Sequence, residues 1–153
     1  MLLKDRPVYS YRDDPAVPSF PDQTPVVFMD GECAFCSRAA RTISVLDTVD
    51  EFKICPTQSQ LGHAVLAHYG LDPEDPDTWL YLVDGCAYTS LDAVMRVGKR
   101  LGGAGRITLI FAVLPKAAQD WLYRRIARNR YSIMGRTDMC AIPDPELQRR
   151  LLK

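Results

Sequence analysis

Val26-Val27-Phe28-Met29-Asp30-Gly31-Glu32-Cys33-Ala34-Phe35-Cys36 is the stretch whose reading decides the fold. Four consecutive apolar residues bounded by turn residues predict a short strand buried on both faces. Asp30-Gly31 breaks that strand, and Cys33 and Cys36 follow it directly. Behind them Ala39, Ala40, Ile43, Val45 and Leu46 recur at helical intervals, which predicts a helix over 34–48. The C-x-x-C pair therefore sits where a buried strand hands over to a helix.

Downstream, Phe52-Lys53-Ile54-Cys55 predicts a second short strand stopped by Pro56. Leu61, Val65, Leu66 and Tyr69 mark an amphipathic helix closed by Gly70. After a turn-rich stretch, Trp79-Leu80-Tyr81-Leu82-Val83 and Cys86-Ala87-Tyr88-Thr89 flank Asp84-Gly85, a strong signal for a tight antiparallel hairpin. Ser90 is placed to cap a helix carrying Ala93, Val94, Val97 and Leu101, which Gly102-Gly103 ends. The predicted order is β-α-β-α-β-β-α, an α/β fold with a thioredoxin-like core. Two further helical stretches, around 106–114 and 116–130, are separated by Pro115, and a tail from Arg136 to Lys153 follows. The expected division is an irregular, proline-rich arm over 1–24, the core over 25–102, and a helical extension and tail over 103–153 packed on that core.

The position of the cysteines matters more than their spacing. A helix N-terminus presents orphan N–H groups and the positive end of the helix dipole, and both favour a thiolate. A cysteine so placed can titrate anywhere from roughly 3.5 to 7.5 instead of about 8.5. Cys33, at the end of the turn that is usually exposed, is expected to be the attacking nucleophile and Cys36 the more buried resolving thiol. Asp30 can accept the proton of Cys36; equally, Asp30-Gly31 can simply make the turn that positions Cys33. Glu32 disfavours a thiolate beside it, whereas Arg38 and Arg41 favour one if they fold back. Arg128 and Arg130 are further cations whose distance from the thiols sequence does not define.

Met29-Asp30-Gly31-Glu32-Cys33-Ala34-Phe35-Cys36 resembles the signature of the DCC family of thiol–disulfide oxidoreductases (also catalogued as DUF393), named for an aspartate and two cysteines that fall here on Asp30, Cys33 and Cys36. The resemblance extends over roughly 25–150, through Ser90-Leu91-Asp92-Ala93, Arg128-Asn129-Arg130-Tyr131 and Cys140-Ala141-Ile142-Pro143. It implies a thioredoxin-like fold and redox activity on the cysteine pair. Ala34 departs from the proline that often follows the first cysteine in that family. Thioredoxins also place a cis-proline before the third strand; here Asp77-Thr78 intervenes between Pro76 and Trp79. Phe35, Asp77 and Thr78 are accordingly the expected substrate contacts.

The reaction expected is exchange of the Cys33–Cys36 dithiol with a disulfide-containing protein or small-thiol substrate through a mixed disulfide, with a thiol electron donor such as glutathione or a thioredoxin-type reductant. No metal or organic cofactor is implied. The rivals are a non-catalytic binding module of the same fold and a zinc site on Cys33 and Cys36. For zinc the chain lacks a second C-x-x-C, and His63 and His68 are spaced five apart, on different faces of a helix and expected at the surface. Cys55 and Cys86 lie in strand patterns and read as small apolar side chains, while Cys140, in the tail, is open to a role as a third, regulatory thiol.

Five cysteines with only one close pair fit a reducing compartment, and residues 1–23 contain no apolar signal segment, so a cytoplasmic protein is expected. Nineteen basic and nineteen acidic residues cancel, giving no reason to expect a nucleic-acid partner. The charges are segregated, however: residues 1–99 hold 8 Lys/Arg against 15 Asp/Glu, and residues 100–153 hold 11 against 4. The expected use of the basic third is docking on the acidic remainder, with Ala118, Trp121, Leu122 and Ile126 as the core-facing side of its last helix. Peripheral membrane contact through that helix is the alternative.

Overall fold

The computed structural model describes residues 3, 6–72, 74 and 79–152. Strand β1 (Val26–Met29) is buried along its whole length, which is why its sequence is apolar at every position instead of alternating. Val26 and Phe28 face one apolar cluster with Leu61, Val65 and Leu80. Val27 and Met29 face the other, with Ala40, Ile43, Ala93 and Val97.

Around β1 a four-stranded mixed sheet forms in the order β2-β1-β3-β4, with β2 at Lys53–Pro56, β3 at Leu80–Val83 and β4 at Cys86–Thr89. β2 runs parallel to β1, whereas β3 and β4 are antiparallel to their neighbours. Helices α1 (Ala34–Leu46), α2 (Gln60–His68) and α3 (Ser90–Leu101) complete the β-α-β-α-β-β-α order of a thioredoxin-like fold. The hairpin turns at Asp84 and Gly85, both at positive φ (49° and 72°), the geometry that matches strand twist. Pro56 ends β2 from inside the strand, paired with Met29, which an edge strand tolerates.

Several segments differ from expectation. Ser90 does not cap α3: it is the first helical residue, at φ 60°, and Thr89 occupies the cap position. The stretch after α3 is a long 3-10 segment, Gly103–Val113, instead of an α-helix. It packs closely on α3 because Gly98 lacks a side chain; a Cβ there would overlap Thr108 and the Gly105 carbonyl. The N-terminal arm is irregular, with a 3-10 turn at Ser10–Asp13, yet it inserts Tyr11 into the core on the α2 side. The same arm covers His68, which is buried and bonded to Ser10 Oγ at 2.8 Å and Asp14 Oδ2 at 2.7 Å, so that histidine is not a surface residue.

The helix α4 (Lys116–Met134) turns a different face inward from the one its apolar residues suggest. Trp121 and Ile126 are exposed, and Gln119, Ala127 and Arg130 are the buried positions. Beyond a short 3-10 turn at Met139–Ala141, the chain forms α5 (Pro145–Arg150) and lays Leu151 beside Ile54 at the edge of the sheet. Buried Arg150 pairs with buried Asp47 just past the C-terminus of α1 and also donates to the Asp47 carbonyl at 3.1 Å. No helix among the described residues is long and apolar enough to cross a membrane.

Candidate active site

The end of β1 points the chain into the turn Asp30–Glu32 and then into α1. Cys33 is the N-cap residue of that helix, with extended backbone at φ −95° and ψ 122°. Its Sγ accepts the Cys36 N–H at 3.4 Å, taking the place that a serine or aspartate oxygen usually fills. Ser37 N donates to the Cys33 carbonyl at 2.9 Å, so one residue caps the helix through both sulfur and backbone. All five cysteines are unpaired, and the site is in its dithiol form.

The two thiols titrate far apart. A hydrogen bond from the Cys36 thiol, helped by the Cys36 N–H and the Arg130 guanidinium, brings Cys33 down to about 6 against the cost of its burial. The same hydrogen bond, now from the donor's side, together with burial pushes Cys36 far up. At neutral pH the pair therefore holds one negative charge, on Cys33, and one proton, on Cys36.

Arg130 supplies the countercharge. It is 6 % exposed, and its Nη1 lies 3.8 Å from Cys36 Sγ while its Nη2 donates to Asp30 Oδ2 at 2.6 Å. Its Nε has no hydrogen-bond partner among the described residues. Burial works against its charge, but the negative charge of the cysteine pair and the Asp30 carboxylate raise its pKa and keep it protonated.

Asp30 is encircled by donors. Its Oδ1 accepts from Glu32 N at 2.8 Å and Gln58 Nε2 at 2.7 Å, and its Oδ2 from Arg130 and the Tyr131 hydroxyl. Burial alone would raise this carboxyl. The hydrogen bonds from Tyr131, Glu32 and Gln58, with the Arg130 charge, outweigh it and hold the group below the ordinary carboxylate range.

Cys33 is not at an exposed end. It is 0 % exposed against 6 % for Cys36, because the segment after α4 runs over the turn. Thr137 N donates to Glu32 O at 3.0 Å, Met139 N to Gly31 O at 2.8 Å and Ala34 N to Gly135 O at 3.3 Å, which pairs Cys33 with Arg136 as an antiparallel bridge. Cys140 is exposed and borders a hollow beside this strap, shared with Gly31, Glu32, Pro56 and Gln58. Phe35, 41 % exposed, stands on the opposite side of the dithiol.

Asp77 and Thr78 lie outside the described residues. Cys55 is buried in the α2-side cluster with its Sγ 3.2 Å from Ser59 Oγ, and Cys86 is half-buried. Arg41 bonds Asp144 at 3.1 Å, away from the sulfurs. Sequence reasoning missed Gln58 and Tyr131 as Asp30 donors. The one signal was that Arg130-Tyr131 falls in a segment carried by the family resemblance.

The β1–α1 junction thus gathers a dithiol, a buried cation and a fixed carboxylate on a thioredoxin-like sheet. The chain belongs to the family described as DCC1-like thiol-disulfide oxidoreductase, which matches residues 27–136. It is similar to the uncharacterized protein YuxK of Bacillus subtilis (strain 168), 32% identical over 127 residues that cover 83% of this chain and 93% of that protein. It is also similar to the chloroplastic DCC family protein At1g52590 of Arabidopsis thaliana, 25% identical over 122 residues, 79% of this chain and 71% of that protein. No solved structure gives a significant match.

Proposed function

We propose that the chain catalyses thiol–disulfide exchange by cycling Cys33 and Cys36 between dithiol and disulfide through a mixed disulfide with its substrate. The observation that carries this reading is the division of labour at the start of α1. Cys33 Sγ is held as a thiolate by the Cys36 thiol and N–H, with Arg130 3.8 Å from Cys36 Sγ. A thiolate is the nucleophile of exchange and a low-pKa sulfur is the better leaving group, so the same asymmetry serves both directions.

In the reducing direction a protein sulfur attacks the substrate disulfide, forms the mixed disulfide and expels a substrate thiolate. The second protein sulfur then displaces the other substrate thiolate and closes the Cys33–Cys36 bond. Two electrons pass from the protein to the substrate, and a thiol donor returns them. Asp30, with its acceptor sites taken by Gln58, Glu32 N–H, Arg130 and Tyr131, serves in this reading to fix the Arg130 fork against the thiols more than to carry a proton. A cytoplasmic, reducing setting suits a chain of five cysteines with only one pair close in sequence.

The test is to equilibrate the protein in glutathione buffers of graded poise, trap the thiols and read Cys33 and Cys36 by mass spectrometry. A reversible two-electron couple between about −120 and −270 mV is expected, the range of working oxidoreductases. Failure to form the Cys33–Cys36 disulfide at any poise would overturn the reading, and Cys33→Ser should abolish the couple.

A further inference from the structure

One side of the dithiol opens into an apolar groove between α1, α3, α4 and the 3-10 segment. Its inner chamber, about 200 Å³, is bordered by Cys36, Phe111, Tyr123 and Arg130. A second chamber of about 320 Å³ continues it outward past Leu101 to Ile107, whose side chain is exposed. The two chambers share the walls Phe35, Ala39, Trp79 and Val94, so they adjoin, and the inner one reaches Cys36. Cys33 borders neither chamber: it lies under the Gly135–Met139 strap.

We propose that this groove is the substrate site of the dithiol, taking the apolar arm of a low-molecular-weight thiol or disulfide and delivering its sulfur to Cys36. This deepens the exchange reading and rests on it. Three features choose the occupant. The inner walls are aromatic and aliphatic apart from Cys36 and Arg130, and Arg38, Thr42 and Thr108 line only the outer chamber. An extended peptide reaching Cys36 would therefore bury backbone groups there without partners, at a cost of about 1–3 kcal/mol for each. A highly charged thiol would meet the same penalty more severely. The inner chamber has room for a single aromatic or branched aliphatic group, and its one charged wall residue, Arg130, lies at the sulfur end, where a thiolate would arrive.

The chemistry balances. The substrate thiolate attacks Cys36 Sγ of the protein disulfide; the Cys36–substrate S–S bond forms, the Cys33–Cys36 bond breaks, and the electron pair leaves on Cys33. A second substrate thiolate then attacks the substrate sulfur of the mixed disulfide. It releases Cys36, which takes up a proton, and leaves the substrate disulfide. Sequence position alone points to Cys33 as the sulfur that meets substrate; access points to Cys36, with Cys33 as the leaving group.

The experiment uses two double variants, Cys33→Ser and Cys36→Ser each combined with Cys140→Ser to remove the exposed thiol. Each is treated with 2-pyridyl disulfides carrying either a 2-phenylethyl or a 2-hydroxyethyl arm. Released thiopyridone gives the rate, and mass spectrometry identifies the modified cysteine. The ratio of the two rates cancels the intrinsic reactivity of each sulfur, after division by the same ratio for a short peptide containing Cys-Ala-Phe-Cys. Burial of a phenyl group predicts a ratio of about tenfold or more at Cys36 and about one at Cys33. Val94→Glu, added to the Cys33→Ser protein, should bring the ratio toward one.

A ratio near one at Cys36, or a larger ratio at Cys33 than at Cys36, would overturn the groove proposal. In either case a reversible couple in glutathione buffers would leave the exchange function standing. Absence of a couple in the unsubstituted protein, in buffers of glutathione and of the uncharged dithiol dithiothreitol alike, would instead sink the function itself.

Discussion

Two buried arginine–aspartate pairs clamp the two ends of α1, and they differ in what else the arginine touches. At the N-terminus Arg130 binds Asp30, and past the C-terminus Arg150 binds Asp47; the partners lie 100 and 103 positions apart in sequence. Both pairs exclude water, with side-chain exposures of 6 % and 6 % in the first and 2 % and 1 % in the second. Arg150 spends both terminal nitrogens on Asp47, Asp50 and backbone oxygens, while its Nε, like that of Arg130, has no hydrogen-bond partner among the described residues. Arg130 spends one nitrogen on Asp30 and keeps another at 3.8 Å from a thiol. The same ion pair thus serves as a rivet at one end of the helix and as a charge held beside sulfur at the other.

The largest effect should come from the rivet. Arg150→Met leaves buried Asp47 with the Phe52 N–H, 2.8 Å from its Oδ2, as its remaining side-chain donor among the described residues, and should cost about 3–5 kcal/mol in urea unfolding. The Cys33 titration should stay near 6 in the folded variant; a shift would show that the two clamps are coupled through α1. Arg130→Met should cost less, about 1–3 kcal/mol, because Asp30 keeps Gln58, Tyr131 and the Glu32 N–H. Its distinctive sign is an upward shift of the Cys33 titration, read by thiolate absorbance or alkylation rate against pH. An unshifted titration would reduce Arg130 to a second rivet.

The pH dependence of stability sharpens the contrast further. Cys33 titrates near 6 in the folded protein, below the value of about 8.5 for an unfolded cysteine. Its contribution is complete above the unfolded value, declines as pH falls, and is gone below about 6. The stability of the dithiol form relative to Cys33→Ser should therefore rise between those limits, by about 1.4 kcal/mol per pH unit. A flat difference would mean that Cys33 titrates as an ordinary thiol. The smallest effect is expected at Cys140→Ser: an exposed side chain beyond the strap should change stability by less than about 0.5 kcal/mol and leave the Cys33 titration in place.

The core elements were legible because each writes a local pattern. The doubly buried Val26–Met29 strand, the Asp84-Gly85 turn and the helical spacing behind Cys36 all lie within short windows. The C-terminal third was harder to read because its inward face is not apolar. Trp121 and Ile126 look like core residues and are exposed, whereas Gln119 and Arg130 look like surface residues and are buried. A hydrophobic period does not reveal a helix whose task is to bring a cation to a buried thiol.

By itself, then, the sequence determined the strand-to-helix junction, the presence of a dithiol there, and the tendency of Cys33 toward a thiolate. Those follow from backbone periodicity and from the N–H groups that every helix N-terminus exposes. Only the tertiary structure decided which cation stands beside the sulfurs, that Asp30 is fully occupied by donors, and that Cys36 is the thiol bordering an apolar groove. These depend on contacts about a hundred residues apart, between side chains whose burial is decided by how the C-terminal third closes over α1.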